Sequence, residues 1–434
     1  MNYYIIPKNN FNISINPIIK LENISPIISY SLIHHLNTIF SQILNIDTNT
    51  NTNTNTETTF EFINKIVNPF EFIHTNIPGS FLSVSKVNPS SNIFYELMEI
   101  YQVCNITESL LFKKQIHIAH ITKNNLSTNY LMDMLRENNT DIVINEEFDY
   151  SKLCDSFVIN SVYKSKMDVF IFEFNESDYI NIHQYINNMI LVLYIITKYQ
   201  AENGMCIIKI DNIFYKTIVD ILFIFSAIYE KVFIIKPSIS KVTKGERYII
   251  CKKLNTNILT SSKLLQQLDT HIRPQIVDNT FQHSIIHSLI KNDIPYYFSN
   301  KIEEVNAVIG QQQLEAYNQI LNILKSKNKT DKIEILKRNN IQKCIQWCEK
   351  NQLPHNKFGD KFNVFLNIQK KEYNILEQLN IEDTNIKNTY TTLFGTLLNE
   401  INEHNTVIAN AITDADVITD ADVITNIYGN VEPI

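Results

Sequence analysis

The chain has 434 residues, 44% of them hydrophobic, a formal net charge of −7 and a pI of about 5.9. That length exceeds one ordinary core and predicts two or three domains. The acidic balance excludes a protein that holds nucleic acid through its overall charge. The N-terminus lacks the charged start and apolar run of a secretory signal, and no apolar run reaches the roughly 18 residues of a membrane span. Six scattered cysteines fit reduced, buried thiols, so the expectation is a soluble intracellular protein with no membrane partner.

Residues 1–46 predict an N-terminal helical segment, with one helix around Ile27–Leu44. The tract 47–59, DTNTNTNTNTETT, is low-complexity polar sequence and predicts a linker. From residue 60 to 256 apolar runs alternate with helical patterns. Strands are expected at 71–76, closed by Ile77-Pro78-Gly79-Ser80, then at 115–122, 141–144 and 167–174. Helices are clearest at 183–200 and 214–229. The pairs 232–236 and 247–252 read as a terminal antiparallel hairpin around a ten-residue loop. Alternation of this kind predicts an α/β fold with a mainly parallel sheet covered on both faces. From 257 to 410 the strands fade and a helical C-terminal domain is expected, a surface for protein partners. An acidic tail at 411–434 carries a duplicated TDADVI hexad.

The most informative stretch lies between Asn203 and Leu254. Asn203-Gly204-Met205-Cys206-Ile207-Ile208-Lys209 is an apolar strand ending on a lysine. A helix-length segment follows, then a strand closing on Lys236-Pro237 and another opened by Gly245-Glu246-Arg247-Tyr248. An amine and a carboxylate are thereby set at strand ends, where open α/β sheets bind ligands. Only seven glycines occur in the chain, so Gly79, Gly204 and Gly245 are expected to answer backbone needs.

This stretch resembles the FtsJ-like ribose 2′-O-methyltransferases, in particular the forms found in large nucleocytoplasmic DNA viruses. Those carry a lysine at a strand end, then a Lys-Pro, a Ser-rich loop and a Glu-x-Tyr. Here the loop reads Lys236-Pro237-Ser238-Ile239-Ser240-Lys241-Val242-Thr243-Lys244-Gly245-Glu246-Arg247-Tyr248. The resemblance covers about fifty residues strongly. It implies a Rossmann-like, S-adenosylmethionine-dependent methyltransferase domain over 60–256, ending in an antiparallel hairpin and working without metal. The implied substrate is RNA, with a capped 5′ end among the sites it suggests. A viral source would place the protein in the host cytoplasm or the virion.

The resemblance implies roles for single residues. Lys209 would orient the acceptor hydroxyl and help remove its proton, and Glu246 would hold that amine. Glu173 stands where the family has a catalytic aspartate. Pro78, Gly79 and Ser80 stand where the family has its cofactor loop, and Asp141 where it has a carboxylate near the adenine. The family's first lysine has no clear counterpart: Lys65 is close to Pro78, and Lys20 is cut off by the linker. A catalytically decayed copy, serving as an RNA-binding or scaffold subunit, is the alternative that these departures suggest.

Two further features bear on function. Between 231 and 254 seven cations stand against one carboxylate, a pattern that suits phosphate contacts or a guarded sheet edge. Cys344 and Cys348 share a helical face near His355, but a zinc site would need a fourth ligand. Core cysteines beside Trp347 are the expectation there, and His283 and His287, read as sharing a helix face, are expected to be surface or core histidines and not a metal site.

Overall fold

A computed structural model describes residues 2–10, 13–20, 24–50, 59–87, 89, 91–105, 115–121, 141–145, 166–174, 181–272, 285–291, 293–326 and 329–356, with backbone alone for 2, 47–50, 59 and 141–145. In chain order the elements begin with β1 (Asn2–Ile6), β2 (Ile15–Lys20), α1 (Tyr30–Thr50), α2 (Thr59–Val67) and α3 (Ile93–Val103). The sheet-forming stretch gives β3 (Gln115–Ile121), β4 (Asp141–Asn145), β5 (Met167–Glu173), α4 (Ile182–Tyr199), β6 (Gln200–Ile210), α5 (Lys216–Ile228), β7 (Tyr229–Lys236) and β8 (Arg247–Leu254). Beyond it come α6 (Thr256–Ser261), α7 (Leu264–His271), β9 (Ile285–Ile290), α8 (Tyr296–Leu324) and α9 (Lys329–Lys350).

Seven strands form one sheet in the order β4-β3-β5-β6-β8-β7-β1. Strands β4, β3, β5 and β6 pair in parallel, β8 runs against β6 and β7, and β1 runs against β7. Five of these strands therefore share one direction, and the molecule is a mixed α/β fold with a mostly parallel sheet. Strands buried on both faces read as unbroken apolar runs. β5 is buried over all seven residues of MDVFIFE, with an apolar centre, 169–172, between Asp168 and Glu173.

The two faces are covered differently. Phe170, Phe172, Cys206, Ile208 and Ile249 pack with α4 and α5. Helix α5 is apolar almost all round, and twelve of its thirteen residues are buried, as a helix inside a layered core must be. Asn181 starts α4 by accepting from the backbone N–H groups of His183 and Gln184 at 3.1 and 3.3 Å. On the opposite face Ile116, Ile118, Val169, Ile171, Ile207 and Ile250 pack against Leu97, Ile100 and Tyr101 of α3.

Four expectations change. The strand expected at 71–76 is a short 3-10 turn over Glu71–Ile73; Asn68 Nδ2 donates to Glu71 Oε2 at 2.7 Å and sets this turn locally. The β7–β8 hairpin does not end the sheet, because β1 pairs along the outer edge of β7. The N-terminal segment thus supplies strands as well as helix α1, and β2 pairs with β9 in a separate two-stranded sheet. The helices read by sequence as a domain from 257 onward share cores with the sheet and with α2, within one compact unit spanning Met1–Gly359. Residues 51–58 of the low-complexity tract, 357–410 and the tail at 411–434 lie outside the described residues. Among the described residues no helix is long and apolar enough to cross a membrane.

Candidate active site at the carboxyl ends of the strands

The strand order reverses at β3, which has β4 on one side and β5 on the other. In open α/β sheets ligands sit outside the carboxyl ends of the strands at such a point. That end carries His120 on β3, Glu173 on β5, Lys209 on β6 and Lys236 on β7, and β8 starts there with Arg247 and Tyr248. Register fixes the row: Glu173 is opposite Lys209, and Lys209 is opposite Tyr248. Side chains alternate along strands, so His120, Glu173, Lys209 and Tyr248 extend the face covered by α3, while Lys236 is in phase with Val232 and Ile234 of the other face.

Lys209 is the centre of the row. Its side chain is 9% exposed, and its Nζ lies 3.4 Å from Glu96 Oε2 and 3.3 Å from Glu246 Oε2. Tyr248 donates its hydroxyl to Glu96, and its ring centroid is 6.0 Å from the amine. Burial alone would lower the lysine pKa, but Glu96, Glu246 and Glu173 outweigh it and hold the value above the ordinary 10.5. These carboxylates favour the charged ammonium over the neutral amine that accepting a proton would need. Burial pushes Glu246 upward, yet the charges of Lys209 and Lys244 bring it below the usual carboxylate range. Burial and Glu96 keep the Tyr248 phenol protonated far above its usual value.

Of the residues singled out by sequence, Lys209, Glu246 and Glu173 meet at one end of the sheet. Glu173 also has a partner the sequence did not suggest: its Oε1 lies 2.7 Å from His120 Nε2, both side chains being buried. The other ring nitrogen of His120 is buried and meets no hydrogen-bond partner among the described residues.

Asp141 is placed elsewhere. It opens β4 and pairs with Gln115, the first residue of β3. That is the amino end of the strands, opposite the end that carries Lys209, and Asn145 is the β4 residue on the ligand side. Pro78-Gly79-Ser80 follows a 3-10 turn and not a strand. Ser80 N donates to Ile77 O at 2.8 Å, and Gly79 has φ +86°. This is a type II turn, with proline at its second position and the left-handed glycine at its third. Its neighbours Ile77 and Val84 pack with Phe72, Tyr95 and Trp347. The two candidates for the family's first lysine sit on other elements, Lys65 in the last turn of α2 and Lys20 at the end of β2. The upstream residue that reaches Lys209 is an acid, Glu96.

Glu96 was legible only with the right first strand. Two carboxylates three residues apart in the apolar stretch IFYELMEIY, one helix ahead of β3, cannot be buried without partners. Glu99 takes its own set: it accepts from Ser238 N at 2.7 Å and from Trp347 Nε1 at 3.1 Å.

The basic hairpin is partly used internally. Lys236 and Arg247 are buried. Lys252 donates to the carbonyl of Cys104, and Lys253 pairs with Glu230 at 3.0 Å. Lys231 is exposed, and Lys241 and Lys244 are half-buried. Cys344 and Cys348 are buried core thiols around Trp347, and His283 and Cys154 lie outside the described residues. Among the described residues no group of three metal-ligating side chains occurs.

No family model and no curated protein matches the chain. Among solved structures, a protein described as a putative ribosomal RNA methyltransferase from Plasmodium falciparum is 16% identical, with TM-score 0.29, over 38% of this chain and 97% of that one. MNMC2 from Aquifex aeolicus is 9% identical, with TM-score 0.26, over 68% and 93%. Likeness at these scores carries no argument, and the fold stands on the strand order given above.

Proposed function

We propose that the chain is an S-adenosylmethionine-dependent methyltransferase acting on a ribose 2′-hydroxyl of RNA, with capped 5′ ends the first substrates to try. The observation that carries the reading is the row Glu173–Lys209–Tyr248, closed by Glu246, at the carboxyl ends beside the switch point. The donor set suits the cofactor's charge. Glu96, Glu173 and Glu246 outnumber the one amine they surround, and a cationic sulfonium is welcome in such a place. The second ring nitrogen of His120 offers a polar contact at the same end. When bound, S-adenosylmethionine supplies an electrophilic methyl group.

The chain's residues orient the acceptor and take its proton. The Lys209 ammonium donates to the acceptor oxygen and fixes its direction, a gain of placement. A hydroxyl becomes strongly acidic only as its oxygen gains the methyl group. A weakly basic carboxylate, Glu246 or Glu173, then suffices to receive the proton. The half-buried Lys241 and Lys244 flank this end and suit RNA phosphates.

The test is transfer of a labelled methyl group to capped RNA. Lys209→Ala alone would strand three carboxylates, so the informative variants are Glu246→Gln and the double variant Glu96→Gln/Lys209→Met, which removes one charge of each sign. Wild type should transfer label, and each variant should lose about two to four orders of magnitude. Equal activity in all three sinks the mechanism. One observation favours a second reading, a non-catalytic RNA-binding or scaffold subunit: the Lys209 amine is already held by two carboxylates. Absence of transfer by wild type, with RNA bound and no heat on titrating S-adenosylmethionine, selects that reading.

A further inference from the structure

The loop at 237–246, between β7 and β8, is built around one amine. Lys236 is 4% exposed. Its Nζ donates to the carbonyls of Lys241, Lys244 and Glu246 at 3.3, 2.8 and 2.9 Å. Three N–H bonds meet three carbonyl oxygens, the full donor count of an ammonium. From outside, the loop is pinned by Glu99 on the N–H of Ser238 at 2.7 Å. Asn64 accepts from the Thr243 hydroxyl at 2.8 Å, and Gln313 donates to the Thr243 carbonyl at 2.9 Å. The last carbonyl on the ammonium belongs to Glu246, whose carboxylate lies 3.3 Å from Lys209.

We propose that Lys236 is a positioning residue: its ammonium organises the 237–246 carbonyls as a bound metal cation would, and so fixes Glu246 against Lys209. No other side chain type fills this place. Arginine is too broad for three converging carbonyls, and glutamine brings two donors and an acceptor. The charged groups facing Lys236 are Arg247 from β8, Glu96 from α3, Glu246 from the loop and Asp211 after β6. Burial and Arg247 lower its pKa to about 8 against the pull of those carboxylates. Below that pH the ammonium offers three donors. Above it the neutral amine keeps two and loses its charge, so the loop loosens on the alkaline side.

The inference rests on the functional reading above only in its activity readout, and the decisive measurement needs no activity. In wild type with labelled Lys and Glu side chains, the Glu246 carboxyl resonance should shift as Lys236 titrates near pH 8, and a flat response overturns the proposal. In Lys236→Ala the Lys209 titration should fall toward the ordinary lysine value. Methylammonium chloride should restore it, and sodium chloride at equal ionic strength should not. An unchanged Lys209 titration in the folded variant also overturns the proposal. In the methyl-transfer assay kcat should fall by about a hundredfold, with KM for S-adenosylmethionine unchanged and the alkaline limb near pH 8 removed. If wild type transfers no methyl group, the functional reading fails and the resonance data still decide the role of Lys236.

Discussion

A buried lysine among carboxylates has a pH signature of its own. Lys209 is held above its unfolded value, so its contribution to stability is complete below about 10.5 and is lost as pH rises through the higher folded value. Glu246 is held below its unfolded value, so its contribution is complete above about 4.5 and is lost as pH falls through the lower one. The pair is therefore at full strength between those limits. Lys209→Met leaves Glu96, Glu246 and Glu173 without their cation, and breaking such a buried pair costs about 3–5 kcal/mol. Urea unfolding at pH 7 should show that loss. As pH falls the stranded Glu246 takes up a proton, and the variant should regain part of its deficit relative to wild type. A deficit that does not change with pH would mean that Lys209 contributes packing and not charge.

At the scale of elements, α3 ties the site to the rest of the fold. Its first turn sends Glu96 to Lys209, and one turn on, Glu99 joins the 237–246 loop to α9 through Trp347. Helix α9 thus reaches the hairpin loop through one carboxylate. Trp347 is the single tryptophan of the chain and is 5% exposed, so intrinsic tryptophan emission reports on this joint alone. Glu99→Gln keeps one acceptor oxygen and turns an amide N–H₂ toward the other donor. It should cost about 1–3 kcal/mol and shift the Trp347 emission, while an unchanged spectrum and unfolding midpoint would show that α9 is held by apolar packing instead. A second carboxylate anchors β9 in the same manner. Asp220 of α5 accepts from the Ser288 hydroxyl and the Leu289 N–H at 2.7 and 2.8 Å and pairs with Lys216.

On the scale of the molecule, the polar groups collect at one end of the sheet while its two faces are apolar. The hairpin lysines at that end divide between internal duties and solvent. Lys241→Glu with Lys244→Glu should weaken RNA binding and flatten its salt dependence, by about 0.7 in the log–log slope for each single-strand phosphate no longer neutralised. Binding measured across a salt series checks this. An unchanged slope would assign the two lysines to the loop's own structure. On this side of the sheet β1 covers β7 over 232–236, so edge protection is left to explain only the exposed Lys231 beyond that stretch.

The sequence alone determined the elements whose signal is local. The apolar runs of β5 and β6, the helix lengths of α4 and α5, and the antiparallel β7–β8 pair follow from patterns within a dozen residues, and the wide spacing of Lys209 and Glu246 already implied two strand ends. Gly204 was legible for the same reason: a Cβ there would lie 2.8 Å from the Ala201 carbonyl at the bulge opening β6. What only the tertiary structure decided depends on contacts between distant residues. The pattern Glu71–Asn76 has strand-prone residues but becomes a turn, because Asn68 and the packing of Phe72 outweigh propensity. With that strand removed, β3 becomes the strand at the switch point, and Pro78-Gly79-Ser80 follows no strand of the sheet. Asp141 opens β4 as its pattern suggested, but only the parallel pairing with β3 shows that this end of the sheet is the one away from Lys209. The surroundings of Lys209 were only partly legible, because beside Glu246 its amine also meets Glu96, 113 positions away in the chain, whose carboxylate arrives only when α3 packs on the sheet.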